Sequence, residues 1–301
     1  MNIGFIGTGV MGSRMVKRML EGGYRVTVYN RSPEKLEQLL KKGAVQAESI
    51  ALLSSQSDVI CTCLSMPQDV EDVYCRQDGV LENAKPGTIC IDFTTVGVDT
   101  SKVVARKAIE REICYLDAPV SGGPEGAEQG SLTIMVGGDD KTFDKVTPIL
   151  KVLGQTIKYL GQTGSGSVAK LINQYLVAVH SVAASEAMVA GTALGLNSEQ
   201  LFEILQVSYG DSRMLRRHMG EYILDRQFEP GGAVKYVHKD VKLANPLFEQ
   251  VGMKKYTGLL AEQSFQEAIN QGYADLDMSA VICPLEKDCR VIVKKRGVVE
   301  P

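Results

Sequence analysis

Residues 3–12 read IGFIGTGVMG, an apolar run followed by glycines at positions 7, 9 and 12. The spacing is G-x-G-x-x-G. It follows a strand-like run, opens a helical stretch, and leads to a second apolar run ending at Asn30. In that setting each glycine has a task. The first permits a tight turn, the second lets the backbone approach a pyrophosphate, and the third lets helix and strand pack closely. A plain glycine turn is the bland alternative, but the strand–helix–strand context favours a βαβ unit. Gly7, Gly9, Val10, Met11 and Gly12 would then cradle a dinucleotide phosphate.

The same alternation continues. Strands are expected over 3–7, 26–30, 59–64, 88–93, 115–120, 132–137 and 156–160, with helices between them. The early strands are almost continuously apolar, as buried parallel strands are. Ser32-Pro33 reads as an N-cap followed by a proline at the first helical position, and 99–112 reads as an amphipathic helix. From Gly164 onward the strand pattern stops. SVAKLINQYLVAVHSVAASEAMVAGTALG is one long helix, apolar almost all round, which calls for burial in its own domain or against a second subunit. Further helices are expected over 197–206, 214–224, 240–251 and 255–271. The fold class is an α/β Rossmann-type dinucleotide-binding domain, residues 1–162, followed by an all-α domain, residues 163–301. Glycines at 161–166 mark the boundary.

Composition narrows the partners. Of 301 residues, 33 are basic and 36 acidic, for a net charge of -3. That balance points to neither nucleic acid nor an anionic membrane. The N-terminus lacks the three-part pattern of a signal peptide, and no uninterrupted apolar run approaches the ~18 residues of a membrane span. The seven cysteines are odd in number, and four of them (Cys61, Cys63, Cys90, Cys114) lie in strand-like runs, so they read as reduced core residues of a cytoplasmic protein. The three histidines show no metal-ligand spacing, and no metal is expected.

The second strand ends in VYNRSPEK. An NAD site usually carries Asp or Glu there to accept from the ribose 2′-hydroxyl. Asn30, Arg31 and Ser32 stand there instead, and the fork of an arginine suits a 2′-phosphate. NADP is therefore expected, with NAD possible.

Two further stretches carry chemistry. In YLDAPVSGGPEGAEQGSLTIMVGG, the glycines after Ser121 can free backbone N–H groups to cup a carboxylate; a mobile loop is the alternative. In GSGSVAKLINQ, Lys170 and Asn173 share one helical face. Reduction of a carbonyl needs a hydride, which a nicotinamide can supply, and a proton, which the protein must supply. An amine withdrawn from water gives up its proton more readily. A neighbouring amide can fix a substrate without titrating. A snorkelling surface lysine is the ordinary reading of a lone lysine; the glycines, the apolar helix and Asn173 argue for catalysis in a cleft between domains.

These stretches, with KDVKLA at 239–244, resemble the β-hydroxyacid dehydrogenase family over nearly the whole chain. That family includes 3-hydroxyisobutyrate dehydrogenases, tartronate semialdehyde reductases, glyoxylate–succinic semialdehyde reductases and, more distantly, 6-phosphogluconate dehydrogenase. The resemblance implies that Ser121, Gly122 and Gly123 hold the substrate carboxylate. Lys170 would be catalytic, with Asn173 on the substrate and Gln174 and Val177 further along the same face. Leu64, Ser65 and Met66 would line the adenosine side, Thr95 would contact the nicotinamide ribose, and Lys239 would close over the cofactor. One departure stands out. Gln227 and Gly232 replace an acid and an aromatic often found before KDVKLA, which suggests a roomier pocket for a longer semialdehyde. Arg213, Arg216, Arg217 and Lys235 could assist a second anionic group, although surface charges are the plainer reading.

The expected activity is an NADP-preferring, reversible reduction of a small carboxylated aldehyde to its hydroxy acid, by a homodimer or homotetramer. Imine reductases share the fold but commonly lack the lysine. Non-catalytic NADP-binding modules of the fold have lost it too. Oxidative decarboxylation would use the same lysine, usually with a longer helical domain.

Overall fold

In the computed structural model, which describes residues 1–298, the chain forms two compact units, one from Met1 to Leu171 and one from Ile172 onward. The first begins β1 (Asn2–Ile6), α1 (Val10–Glu21), β2 (Arg25–Tyr29), α2 (Glu37–Leu40), β3 (Val45–Gln46), α3 (Ile50–Gln56) and β4 (Val59–Thr62). It continues with α4 (Pro67–Cys75), α5 (Val80–Asn83), β5 (Ile89–Asp92), α6 (Val98–Ile109), β6 (Cys114–Asp117) and β7 (Val120–Ser121). Then come α7 (Gly123–Gln129), β8 (Leu132–Gly137), α8 (Asp140–Leu153) and β9 (Gly154–Gly161). Helix α9 (Ser165–Ala193) starts in the first unit and runs through the division. The second unit adds α10 (Ser198–Leu205), α11 (Arg213–His218), α12 (Val234–Gln250), α13 (Gly258–Asn270) and α14 (Ile282–Cys289).

The strands form one sheet in the order β3-β2-β1-β4-β5-β6-β8-β7, with β9 on β8. β1 through β6 pair in parallel. The period-two alternation of strands assigns neighbours to opposite faces. Ile3 and Phe5 enter a core with α1 and α8, while Ile6 and Ile60 enter another with α3, α4 and α6. Covering both faces is what a parallel sheet requires. In the second unit, Ala178 and Val182 of α9 pack against Val234, Val237 and Val241 of α12 and Phe265 of α13.

Several boundaries differ from the sequence expectation. The run 115–120 breaks into β6 and β7 around Pro119, which has no N–H for a ladder. β3, two exposed residues, and α14, eight residues of which Ile282, Pro284 and Glu286 are buried, are too short for a strong pattern. Helix α12 begins at Val234 rather than Asp240, because Val234, Val237 and Val241 already keep the helical period of its buried face. Ser32 holds the N-cap position and Pro33 opens the helix, but the Ser32 side chain makes no capping bond and Pro33–Leu36 form a 3-10 turn. The switch from sheet to helix falls between Gly161 and Ser165, and the units divide slightly later, between Leu171 and Ile172. By length and apolarity α9 is long enough to cross a bilayer; 39% of its most apolar window is buried within the protein, and the helix also carries Lys170, Asn173, Gln174, His180 and Glu186. Its Ala178 and Val182 lie in the core of the second unit.

Candidate active site

Strand order reverses beside β1, so the loops after β1 and β4 diverge at a topological switch point, where doubly wound sheets leave a crevice. Gly7 ends β1 at φ +95, and a Cβ there would lie 2.4 Å from the Cys63 carbonyl oxygen. A Cβ on Gly12 would lie 2.0 Å from the Gly7 oxygen. Gly9 differs: nothing lies within 4 Å of where its Cβ would be. It is also the N-cap of α1, where no side chain caps the helix and no acid stands in the first turn. Val10 (58% exposed) and Met11 begin that helix. Uncapped N–H groups with an open approach form a phosphate cradle, so these residues fit a dinucleotide.

The loops beyond the other parallel strands lie along the same edge of the sheet. After β2, Asn30 Nδ2 donates to Thr8 Oγ1 at 2.7 Å and its Oδ1 accepts from the Ser32 amide at 3.2 Å, tying Ser32 and the glycine loop together. Arg31 reaches Asp69, with 3.3 Å between Nη1 and Oδ1. After β4, the Leu64 amide donates to Thr94 Oγ1 at 2.9 Å; Ser65 and Met66 are exposed. Thr95, half-buried, follows β5. Asp92, at the end of β5, organises this edge. Its buried carboxylate accepts from the Thr62 hydroxyl at 2.7 Å, the Thr94 amide at 3.0 Å and the Tyr115 hydroxyl at 3.1 Å. Burial pushes its pKa above the usual carboxylate range, and these bonds only partly offset that.

Asp117 ends β6 and fixes the start of α9. It accepts from the Gly164 amide at 2.7 Å and from the Ser167 amide at 2.8 Å, one per carboxylate oxygen. Ser167 Oγ also meets Ser101 Oγ at 2.9 Å. A Cβ on Gly166 would lie 2.3 Å from the Met135 carbonyl oxygen, so glycine there lets α9 begin against the sheet. Burial raises the Asp117 pKa, again against the pull of the N–H bonds. One turn beyond this anchor stands Lys170, buried at 7% exposure. Ser121 ends β7, opposite Thr133 of β8. Gly122 and Gly123 follow at φ +131 and +66, left-handed conformations that favour glycine, and turn the chain into α7. The first unit thus carries the glycine loop, the three residues 121–123 and Lys170.

In the second unit the same face of α9 presents a chain of amides. Asn173 Nδ2 donates to Gln174 Oε1 at 3.0 Å, and Gln174 Nε2 donates to Asp240 Oδ2 at 2.5 Å. Lys239 Nζ lies 3.0 Å from Asp240 Oδ1. The buried Asp240 therefore holds Gln174 and Lys239 directly, and Asn173 through Gln174. The half-buried Val177 is held through its carbonyl, which accepts from Ser181 Oγ at 2.7 Å; Ser181 Oγ lies 2.9 Å from His218 Nε2. Because the serine hydrogen is spent on Val177, the His218 Nε2–H must be the donor in that pair, which leaves Nδ1 facing Arg217 at 3.4 Å. Burial first, and Arg217 second, push the His218 pKa down to about 3.

A Cβ on Gly232 would meet the Met278 methyl carbon, the far end of a flexible side chain, at 2.7 Å. Of the four cations considered for a second anionic group, three are paired with acids of the second unit. Arg217 forms a two-pronged pair with Asp277 at 2.9 and 2.7 Å, Arg216 pairs with Asp211, and Lys235 pairs with Asp275 at 2.5 Å. Sequence reading also passed over Asp69, Asp92, Asp117 and Asp240. The only local signal for Asp92 and Asp117 was an acid at the end of an otherwise apolar strand.

Comparison with known proteins agrees with this architecture. Residues 2–161 match a model of the NAD-binding domain of 6-phosphogluconate dehydrogenase. Residues 164–285 match a model described as NAD-binding of NADP-dependent 3-hydroxyisobutyrate dehydrogenase. The chain is 35% identical to the 2-(hydroxymethyl)glutarate dehydrogenase of Eubacterium barkeri, covering 93% of each chain. It is 34% identical to an NAD-dependent L-serine dehydrogenase of Pseudomonas aeruginosa, covering 93% of this chain and 96% of that one. The crystal structure of 3-hydroxyisobutyrate dehydrogenase from Salmonella typhimurium superposes with a TM-score of 0.86 at 28% identity, over 94% of this chain and 99% of that one. Sequence, sheet order and site together make this chain a member of the NAD(P)-dependent β-hydroxyacid dehydrogenase family.

Proposed function

We propose that this protein interconverts a small carboxylated aldehyde and its hydroxy acid, prefers NADP, and uses Lys170 as general acid and base. The observation that carries the reading is the placement of Lys170. It is a buried amine one turn from a helix start that Asp117 bolts to the strand ends, in the unit that also holds the phosphate cradle. The bound nicotinamide supplies or takes up the hydride. Lys170 gives its proton to the carbonyl oxygen as that oxygen becomes a hydroxyl, and removes it in the oxidative direction. Ser121, Gly122 and Gly123 hold the carboxylate through hydroxyl and backbone N–H groups. Asn173, steadied by Gln174 and Asp240, orients the substrate oxygen without changing charge.

Arg31 supports NADP, since no acid ends β2 and a guanidinium suits a 2′-phosphate. One relative is named NAD-dependent, so the cofactor is decided by measurement on this chain. The names of the three compared proteins all specify a hydroxyl on the carbon β to a carboxylate, and a substrate of that pattern is proposed here. Free cysteines at all seven positions fit a reducing compartment such as the cytoplasm. The outward face of α9, with Val168, Ile172 and Leu176 at 39%, 40% and 45% exposure, and Leu194 just past its end at 85%, fits a homodimer or homotetramer in which a second copy covers it.

The test is a panel of hydroxy acids and semialdehydes assayed with both cofactors on the parent and on Lys170→Ala. Turnover should fall by about 10²–10⁴-fold with the melting temperature retained. A loss below about tenfold would remove Lys170 from the proton step.

A further inference from the structure

The acid that NAD-binding folds place at the end of β2 is missing from β2, yet the arginine that follows the strand meets a carboxylate. It comes from the first turn of α4. Asp69 Oδ2 accepts from the Met66 amide at 3.2 Å, which fixes the carboxylate across the start of its own helix. Its other oxygen lies 3.3 Å from Arg31 Nη1. The partners differ in freedom: the Arg31 side chain is 82% exposed and that of Asp69 22%. A long, solvated guanidinium therefore leans on a short, tethered carboxylate. Asn30 cannot replace either, because both ends of its amide are engaged with Thr8 and Ser32.

We infer that Asp69 is a specificity-determining residue that competes with a 2′-phosphate for Arg31 and so holds back the preference for NADP. The inference rests on the reading that Arg31 meets that phosphate. With Asp69 in place, the arginine meets an incoming dianion already half-neutralised. NADH carries no phosphate there and is indifferent to the competition. An exposed pair of this kind is individually weak, so it biases the choice without abolishing either cofactor.

The experiment measures equilibrium binding of NADPH and NADH by their fluorescence, with adenosine 2′,5′-bisphosphate and 5′-AMP by calorimetry as ligands that lack the nicotinamide. Asp69→Asn keeps an oxygen for the Met66 amide and removes the charge; Asp69→Ser is a second neutral variant should the first perturb the loop. Either should tighten NADPH and the bisphosphate by about two- to fivefold, the size expected of an exposed pair, and leave NADH and 5′-AMP unchanged. In an Arg31→Ala background the same changes should have little effect on the ratio. If Arg31→Ala alone moves the ratio but neither Asp69 variant does, the competition is refuted and the Arg31 reading stands. If Arg31→Ala leaves the ratio unmoved, both are refuted.

Discussion

The two units bury their carboxylates in different ways. In the first, Asp92 and Asp117 are satisfied by neutral donors: hydroxyls of Thr62 and Tyr115, and backbone amides of Thr94, Gly164 and Ser167. In the second, the buried acids meet cations: Asp277 with Arg217, Glu286 with Arg226, and Asp240 with Lys239. The titration behaviour follows. Asp92 and Asp117 sit above the ordinary range because burial outweighs their hydrogen bonds. Burial would raise Asp277 too, but the bonds and charge of Arg217 and the Ser279 amide hold it below that range. Dipoles that orient loops suffice where the strand ends of the first unit must leave charge to a bound phosphate, whereas the helical unit locks its turns with full ion pairs.

Removing charge should expose that contrast most sharply at Asp277. Asp277→Asn strands Arg217 with no anion and loosens the Gly231 and Gly232 amides that share the carboxylate. The expected cost is about 3 kcal/mol, read by denaturant unfolding. A cost below about 1 kcal/mol would mean the pair contributes no more than a neutral bond.

Asp117→Asn comes next. Each carboxylate oxygen accepts a backbone N–H, so an asparagine must turn its NH₂ against one of them. One unsatisfied buried donor costs about 1–3 kcal/mol. Because the site lies one turn before Lys170, turnover should fall more than cofactor affinity does.

Acidification gives the comparison a sign. A folded value raised above the unfolded one means the native state takes up protons first. For Asp92 and Asp117, stability therefore increases as pH falls from their raised values to the ordinary aspartate range near ~4. For Asp277 the folded value is lowered, so stability present above the ordinary range is lost as pH falls through the lowered value. Hydrogen exchange, corrected for the intrinsic rate, should show protection around β5 and β6 rising relative to that around Gly231 and Ser279 on acidification; the reverse order would contradict the assignment.

Asp92→Asn should matter least, below about 1 kcal/mol. Its Oδ1 keeps the Thr62 and Thr94 bonds, and the Tyr115 hydroxyl can rotate to accept from the new NH₂.

The contrast also explains what could be read from residues alone. Strands such as Ile89–Asp92 and the glycine loop before α1 are local: apolar runs, turn residues and spacing lie within a few positions. The helix carrying Lys170 was legible for the same reason. Asp117 was not, because its partners lie 47 and 50 residues away. Asp240 meets Gln174 across 66 residues and Asp277 meets Arg217 across 60, distances at which spacing carries no signal.

The direction of the Ser181 hydrogen has a spectroscopic consequence. With that proton given to Val177, the imidazole of His218 has a single permitted tautomer and no exposed edge. Its ring resonances should stay flat across the neutral range and carry the signature of an Nε2-protonated ring. Acylating reagents that label surface histidines should pass it by, so loss of activity on such labelling would have to be traced to another side chain.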